Sequence, residues 1–327
     1  MEAFISTIPG ALIFLLIGFV LLIKGADFFV EGASAVAKKL HVPALIIGMT
    51  IVAMGTSLPE LSVSVTASLQ NANQLAIGNV IGSNIFNLMV VLGSCALFSV
   101  LEVGETTIKK DFPFSVICTI ALIVMGLIGG QVGHVDGLIL LIAFIIFIVS
   151  MVRAGIKSRN LVSMETLDEN DIVDIPMWKC IVYIIGGALA IKFGGDWVVE
   201  SCTTLALKFG MSETLVGLTI VALGTSLPEL VTSIAAARKN ELDMAIGNVV
   251  GSNVFNILMI LGVAGTISPM TYKTVNVIDA LILVVFSALV WIFCYRKKQL
   301  KRFDGIIMLL CYVAYLAYII IRDGGIV

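Results

Sequence analysis

Two stretches of this chain occur twice. Gly48–Leu61 reads GMTIVAMGTSLPEL and Gly217–Leu230 reads GLTIVALGTSLPEL, identical at 12 of 14 positions. Ala76–Gly93 (AIGNVIGSNIFNLMVVLG) and Ala245–Gly262 (AIGNVVGSNVFNILMILG) agree at 12 of 18, and both pairs lie 169 residues apart. The chain is therefore two copies of one unit. The direction in which each copy runs depends on what separates them.

What separates them is apolar. Hydrophobic types make up 59% of the 327 residues and charged types 13%, against about 25% charged in an ordinary soluble domain. A particle of this size cannot hide that much apolar surface from water. Windows of about 20 apolar residues mark membrane-spanning helices. Ten are read here: Ile8–Ile23, Pro43–Leu69, Leu75–Ser99, Phe112–Ile128, Val135–Val152, Met177–Ile191, Thr214–Ala237, Met244–Thr266, Val275–Tyr295 and Asp304–Ile321. Equivalent points are five spans apart, and five is odd, so the second copy enters the membrane in the opposite direction. The sequence predicts an all-α integral membrane protein of ten transmembrane helices in two inverted-topology five-helix repeats, 1–152 and 177–327. The linker between them, 153–176, carries the acids Glu165, Asp168, Glu169, Asp171 and Asp174.

Basic residues orient the array. The connections after helices 1, 3, 5, 7 and 9 share one face and hold 16 of the chain's 20 Lys and Arg. Lys192, Lys208, Lys273 and Arg322 are the other four. Positive charge stays on the cytoplasmic face. The linker is thus expected inside and both termini outside, in a plasma membrane (the inner membrane of a prokaryote). No Lys or Arg precedes the first apolar run, which argues against a cleaved signal peptide.

Composition removes other classes. A net charge of -2 offers no field for nucleic acid. The six cysteines are scattered through apolar runs without ligand spacing, and His41 and His134 are the only histidines, so neither a disulfide framework nor a zinc site is indicated. No nucleophile–base constellation is visible. An enzyme and a resident cofactor are not expected. The lipid bilayer and small ions are the partners indicated, with no obligatory protein partner.

The most closely matched residues are polar ones at membrane depth. Inverted repeats bring such segments together near the midplane, as in secondary transporters. Pro59 and Pro228 lack an amide hydrogen and leave the carbonyls of Gly55 and Gly224 without helical partners. The kink also lets neighbouring carbonyls, those of Thr56 and Thr225 included, turn inward, where bare backbone oxygen is costly unless something binds it. Glu60 and Glu229 are the only acids deep within the predicted spans, and ionised carboxylates there are expensive and functional. Asn79, Ser83 and Asn87 fall at i, i+4 and i+8 on one helix face, and Asn248, Ser252 and Asn256 repeat the stripe. Calcium takes 6 to 8 oxygens. Two bidentate glutamates and two threonine carbonyls would supply six. Two negative charges balance one calcium ion, two sodium ions or two protons, which is a basis for antiport.

These segments resemble the paired alpha-repeats of the cation/calcium exchanger superfamily, most closely its compact prokaryotic sodium/calcium exchangers. The resemblance covers essentially all ten helices. It implies secondary active exchange of calcium for sodium at a central site, with alternating access by sliding of the first and sixth helices. It further implies that Glu60 and Glu229 are calcium ligands and that Thr56, Ser57, Thr225 and Ser226 give carbonyls and hydroxyls to calcium and sodium. Ser83 and Ser252, the backbone carbonyls of Ala53 and Ala222, and Asn87 and Asn256 complete the implied set. Some sodium/calcium exchangers of the superfamily carry aspartate at one of the last two positions; here both are asparagine, with one fewer possible negative charge. A proton- or potassium-involving calcium/cation exchanger is the alternative that the same residues allow.

Overall fold

The structure, a computed structural model, describes residues 5–162, 175–211, 220 and 222–323. Helix α1 spans Ile8–Leu40. The next span is broken, with α2 (Ala44–Thr56) and α3 (Leu58–Leu69) meeting at 49°. Then come α4 (Asn73–Phe98), α5 (Thr107–Gly129), α6 (His134–Val162) and α7 (Met177–Lys208). Helices α8 (Ala222–Gly224) and α9 (Leu227–Arg238) belong to the second broken span. The chain ends with α10 (Leu242–Ile267), α11 (Thr274–Lys297) and α12 (Arg302–Asp323). Eight unbroken helices of membrane-spanning length and the α2–α3 pair thus stand among the described residues. Residues 212–219 and 221, including Gly217 and the predicted start of that span at Thr214, lie outside them, as do the five linker acids.

Helices α1 and α7 are longer than the apolar windows predict. They run to Leu40 and Lys208 rather than Ile23 and Ile191, because Lys24, Asp27 and Glu31, and later Lys192 and Asp196, end the apolar run without ending helix propensity. At 33 residues, α1 is about 50 Å long, well beyond the ~30 Å hydrocarbon core. Helix α6 likewise continues to Val162, so the linker expected from residue 153 begins as helix.

Helices α4 and α10 are the centre. In each, 78% of the apolar window is buried, against 22–39% for the other unbroken helices. Those present Leu16, Val20, Ile145, Ile146, Leu310 and Val313 outward, a face suited to lipid rather than water. Glycine sets how closely the centre packs. A Cβ on Gly247 would lie 2.5 Å from the Leu45 carbonyl, and one on Gly251 2.5 Å from the Met49 Cα, so α2 rests directly on α10. Gly251→Val should force these helices apart and destabilise the fold by about 1–3 kcal/mol, the usual cost of overpacking. A lowered melting temperature in detergent is the check, and an unchanged one would refute the close contact.

Two short antiparallel ladders tie the repeats together. Strand β1 (Leu101–Glu102) pairs with β4 (Gln299–Leu300), and β2 (Gln131–Val132) with β3 (Met270–Thr271). The first ladder joins the connections after the third and ninth spans, the second those after the fourth and eighth. Each ladder therefore lies on one face, as inverted repeats require. The turns after α3 and α9 match too: Asn71 and Asn240, 169 residues apart, adopt φ of 57° and 60°, a left-handed conformation asparagine tolerates. One departure from symmetry is electrostatic. On the face where α10 starts, Lys239 lies 3.3 Å from Glu31 and Lys38 3.6 Å from Glu241. The residues at 70 and 72, equivalent to Lys239 and Glu241, are Gln and Ala.

Candidate ion-binding site

Both broken helices restart on Leu-Pro-Glu. Ser57 has φ -85° and ψ 11°, and Ser226 has φ -94° and ψ 5°, just outside helical values. Proline then occupies the first turn, where its missing N–H costs nothing. Glu60 and Glu229 lie in the first turns of α3 and α9, near the positive end of each helix dipole. The C-terminal, carbonyl-bearing ends of α2 and α8 converge on the same breaks, an arrangement suited to cations.

Both carboxylates are fully buried. Among the described residues neither forms an ion pair with a Lys, Arg or His. Each is held instead by a hydroxyl from the opposite repeat. Ser57 Oγ donates to Glu229 Oε1 at 2.7 Å, and Ser226 Oγ to Glu60 Oε1 at 3.1 Å. Ser83 Oγ reaches the same Glu60 oxygen at 3.5 Å. The threonines also cross over: Thr56 Oγ1 lies 3.1 Å from Asn248 Oδ1, and Thr225 Oγ1 3.4 Å from Asn79 Oδ1. In turn, Asn79 Nδ2 donates to Ser64 Oγ (3.0 Å) and Asn248 Nδ2 to Ser233 Oγ (2.9 Å). All of these pairs except Ser83–Glu60 map onto their partners by the 169-residue offset; Ser252 Oγ, the equivalent of Ser83 Oγ, makes no such bond among the described residues.

The structure brings Glu60, Glu229, Ser57, Ser226, Thr56, Thr225, Ser83, Ser252, Asn87 and Asn256 to the four central segments. Ala53 is buried, and its carbonyl accepts the Ser57 N–H at 3.1 Å and lies 3.4 Å from the Thr56 hydroxyl. Ala222 opens the short α8. Eight buried side-chain oxygens on these segments have no hydrogen-bond partner among the described residues, and five of them belong to the residues expected at the site: Glu60 Oε2, Glu229 Oε2, Asn87 Oδ1, Asn256 Oδ1 and Ser252 Oγ. Unpartnered acceptors in a dry bundle cost several kcal/mol each. Oxygens of this kind are what a dehydrated hard cation takes as ligands.

Two features escape a reading of the residues by helical period. Asn87 and Asn256 each open a wide π-helical turn, Asn87–Val91 and Asn256–Ile260, in which the backbone N–H five residues on bonds their carbonyls. Such turns are frequent at functional sites. The other is the pair Asn84 and Asn253, one residue off the Asn–Ser–Asn stripe. Asn84 Nδ2 donates to the Asn253 backbone carbonyl at 3.1 Å, and Asn253 Nδ2 to that of Asn84 at 3.3 Å. The available signal was a polar residue repeated in both copies beside Ser83 and Ser252, inside otherwise apolar helices.

The two ends of the site differ in burial. Asn248 and Thr56 are 1% exposed, whereas Asn79 and Thr225 are half-buried and Gly78 is exposed. Asn79 lies six residues from the start of α4, so the more open end faces the side where α4 begins. A cavity of about 240 Å³ there is lined by Pro59, Lys192, Asp196, Glu200, Thr225 and Pro228, among others.

Residues 10–153 and 179–321 match the family described as sodium/calcium exchanger protein. The chain belongs to that family. The exchanger is 32% identical to sodium/calcium exchanger MaX1 of Methanosarcina acetivorans, over 92% of this chain and 96% of that one. It is 34% identical to inner membrane protein YrbG of Escherichia coli, over 93% and 94%. Its fold superposes on the solved structure of the sodium-calcium exchanger NCX_Mj with a TM-score of 0.83 at 33% identity, covering 95% of this chain and 99% of that one. The exchanger is thus a multi-pass membrane protein of ten helices in two inverted repeats.

Proposed function

We propose that this protein is a secondary active antiporter that exchanges calcium for sodium through the midplane site. The observation that carries this reading is the pair of fully buried carboxylates, without cationic partners among the described residues and on central segments that carry further unpartnered oxygens. Glu60 and Glu229 supply the charge that balances one calcium or two sodium ions. The carbonyls of Ala53, Thr56, Ala222 and Thr225, the hydroxyls of Ser57, Ser83, Ser226 and Ser252, and the amide oxygens of Asn87 and Asn256 supply neutral ligands. Calcium and sodium share oxygen ligands and compete for the same two charges, so loading one discharges the other. Equilibrium calcium binding to the purified protein tests this. Sodium should displace calcium competitively, and calcium binding indifferent to sodium would overturn the reading.

Residues 1–152 and 177–327 are taken as the two repeats, with 153–176 between them. The 16-to-4 division of basic residues supports a cytoplasmic linker and outside termini. In that orientation the more open end of the site faces outward, and alternating access follows from movement of α1 and α7 against the central helices. With native cysteines removed, Lys301→Cys should react with a membrane-impermeant thiol reagent only from the cytoplasm and Ala72→Cys only from outside. Reaction of both from one face would break the topology.

A further inference from the structure

The amides of Asn84 and Asn253 form a relay whose direction is not free. A backbone carbonyl can only accept. Because Asn84 Nδ2 meets the Asn253 carbonyl, the Asn84 amide must turn its Oδ1 the other way. That oxygen accepts from Asn256 Nδ2 at 3.0 Å, so the Asn256 amide must in turn direct its Oδ1 away from the relay. The mirror chain runs from the Asn84 carbonyl through Asn253 to Asn87, whose Nδ2 meets Asn253 Oδ1 at 3.2 Å. Both relays end on Asn87 Oδ1 and Asn256 Oδ1, buried and without hydrogen-bond partners among the described residues. All four asparagines are at most 1% exposed, so water is not at hand to substitute for a lost partner.

We infer that Asn84 and Asn253 are positioning residues that fix the polarity of Asn256 and Asn87, so that these offer oxygen and never N–H to a passing cation. This rests on the site proposed above. An asparagine amide left to itself can turn either end toward an ion, and the N–H₂ end repels a cation. Anchoring the relay on a backbone carbonyl removes that choice without adding charge. The connection is also crossed: Asn84, from the first repeat, sets Asn256 of the second, and Asn253 sets Asn87. Each ligand amide is held by the opposite half of the molecule.

Double-mutant cycles on reconstituted protein test the inference, with half-saturating calcium and maximal flux as readouts. Asn84→Leu should raise half-saturating calcium by about tenfold, the cost of about one misdirected buried hydrogen-bonding group, with a smaller fall in maximal flux. Combined with Asn256→Leu it should do no more than Asn256→Leu alone, because the amide it orients is gone. Combined with Asn87→Leu, the two effects should multiply. Asn253→Leu should show the opposite pattern, coupled to Asn87 and independent of Asn256. The same cycles built with serine serve if a leucine variant does not survive extraction. Parent values in Asn84→Leu and Asn253→Leu, or effects that multiply in every combination, would overturn the relay. Glu60→Gln measured alongside separates the two claims. If it transports normally the proposed site is wrong, and if it is inactive while the cycles show no coupling, only the relay is wrong.

Discussion

Glutamine in place of Glu60 or of Glu229 is expected to lower calcium transport by roughly two to three powers of ten, since truncating one partner of a buried, hydrogen-bonded charge pair costs binding about 2–5 kcal/mol. The fold should survive. Glutamine keeps the volume and the acceptor oxygen, so Ser226 can still donate to residue 60 and Ser57 to residue 229. What is lost is one of the two charges at the centre and one bidentate ligand. The loss should be similar at either position, because the two carboxylates have the same kind of partner and are equally buried. Flux into vesicles holding monodisperse, helical mutant protein measures it. Normal calcium uptake by either variant would remove that glutamate from the site.

The second large effect is expected at the contact between α1 and α7. These helices run antiparallel and touch through glycine: a Cβ on Gly187 would lie 2.7 Å from the Gly25 carbonyl, and one on Gly194 2.7 Å from that of Gly18. The two contacts exchange under the 169-residue offset, since Gly18 corresponds to Gly187 and Gly25 to Gly194. A seam of bare backbone is close, and it is also smooth, which is what a pair of helices moving as one body along a core requires. Gly187→Leu and Gly194→Leu should therefore cut transport at least tenfold by wedging the pair, while leaving calcium binding near the parent value because neither residue touches the ion site. Alanine, with only a Cβ to accommodate, should do less at both positions. Transport unaffected by leucine at either site would contradict the role given to this seam.

Much of the architecture follows from sequence because the membrane imposes few solutions. An apolar run, a proline and a repeat of known offset leave little choice of topology, and the ladders β1–β4 and β2–β3 join the faces that this topology requires. Glu60 and Glu229 stood out because an acid at that depth must be explained. What escaped was governed by packing. Charge at Lys24 and Lys192 ends an apolar window but not a helix, so α1 and α7 run past the windows that mark them. The π-helical turns at Asn87 and Asn256 insert a residue into the helical period, which no period-based reading can register. Asn84 and Asn253 sit about 100° around the helix from Ser83 and Ser252, off the stripe that marked the site. Their role depends on a carbonyl of the opposite repeat, which only the folded chain brings near.

The central claim is that sodium and calcium compete for one pair of charges and are thereby exchanged. Calcium flux in proteoliposomes with an imposed sodium gradient, compared with equal potassium and proton gradients, tests it most directly. The account predicts that outward-directed sodium drives calcium accumulation against its gradient, and that neither potassium nor protons alone can replace sodium. Calcium accumulation driven equally by a proton or potassium gradient without sodium would contradict it.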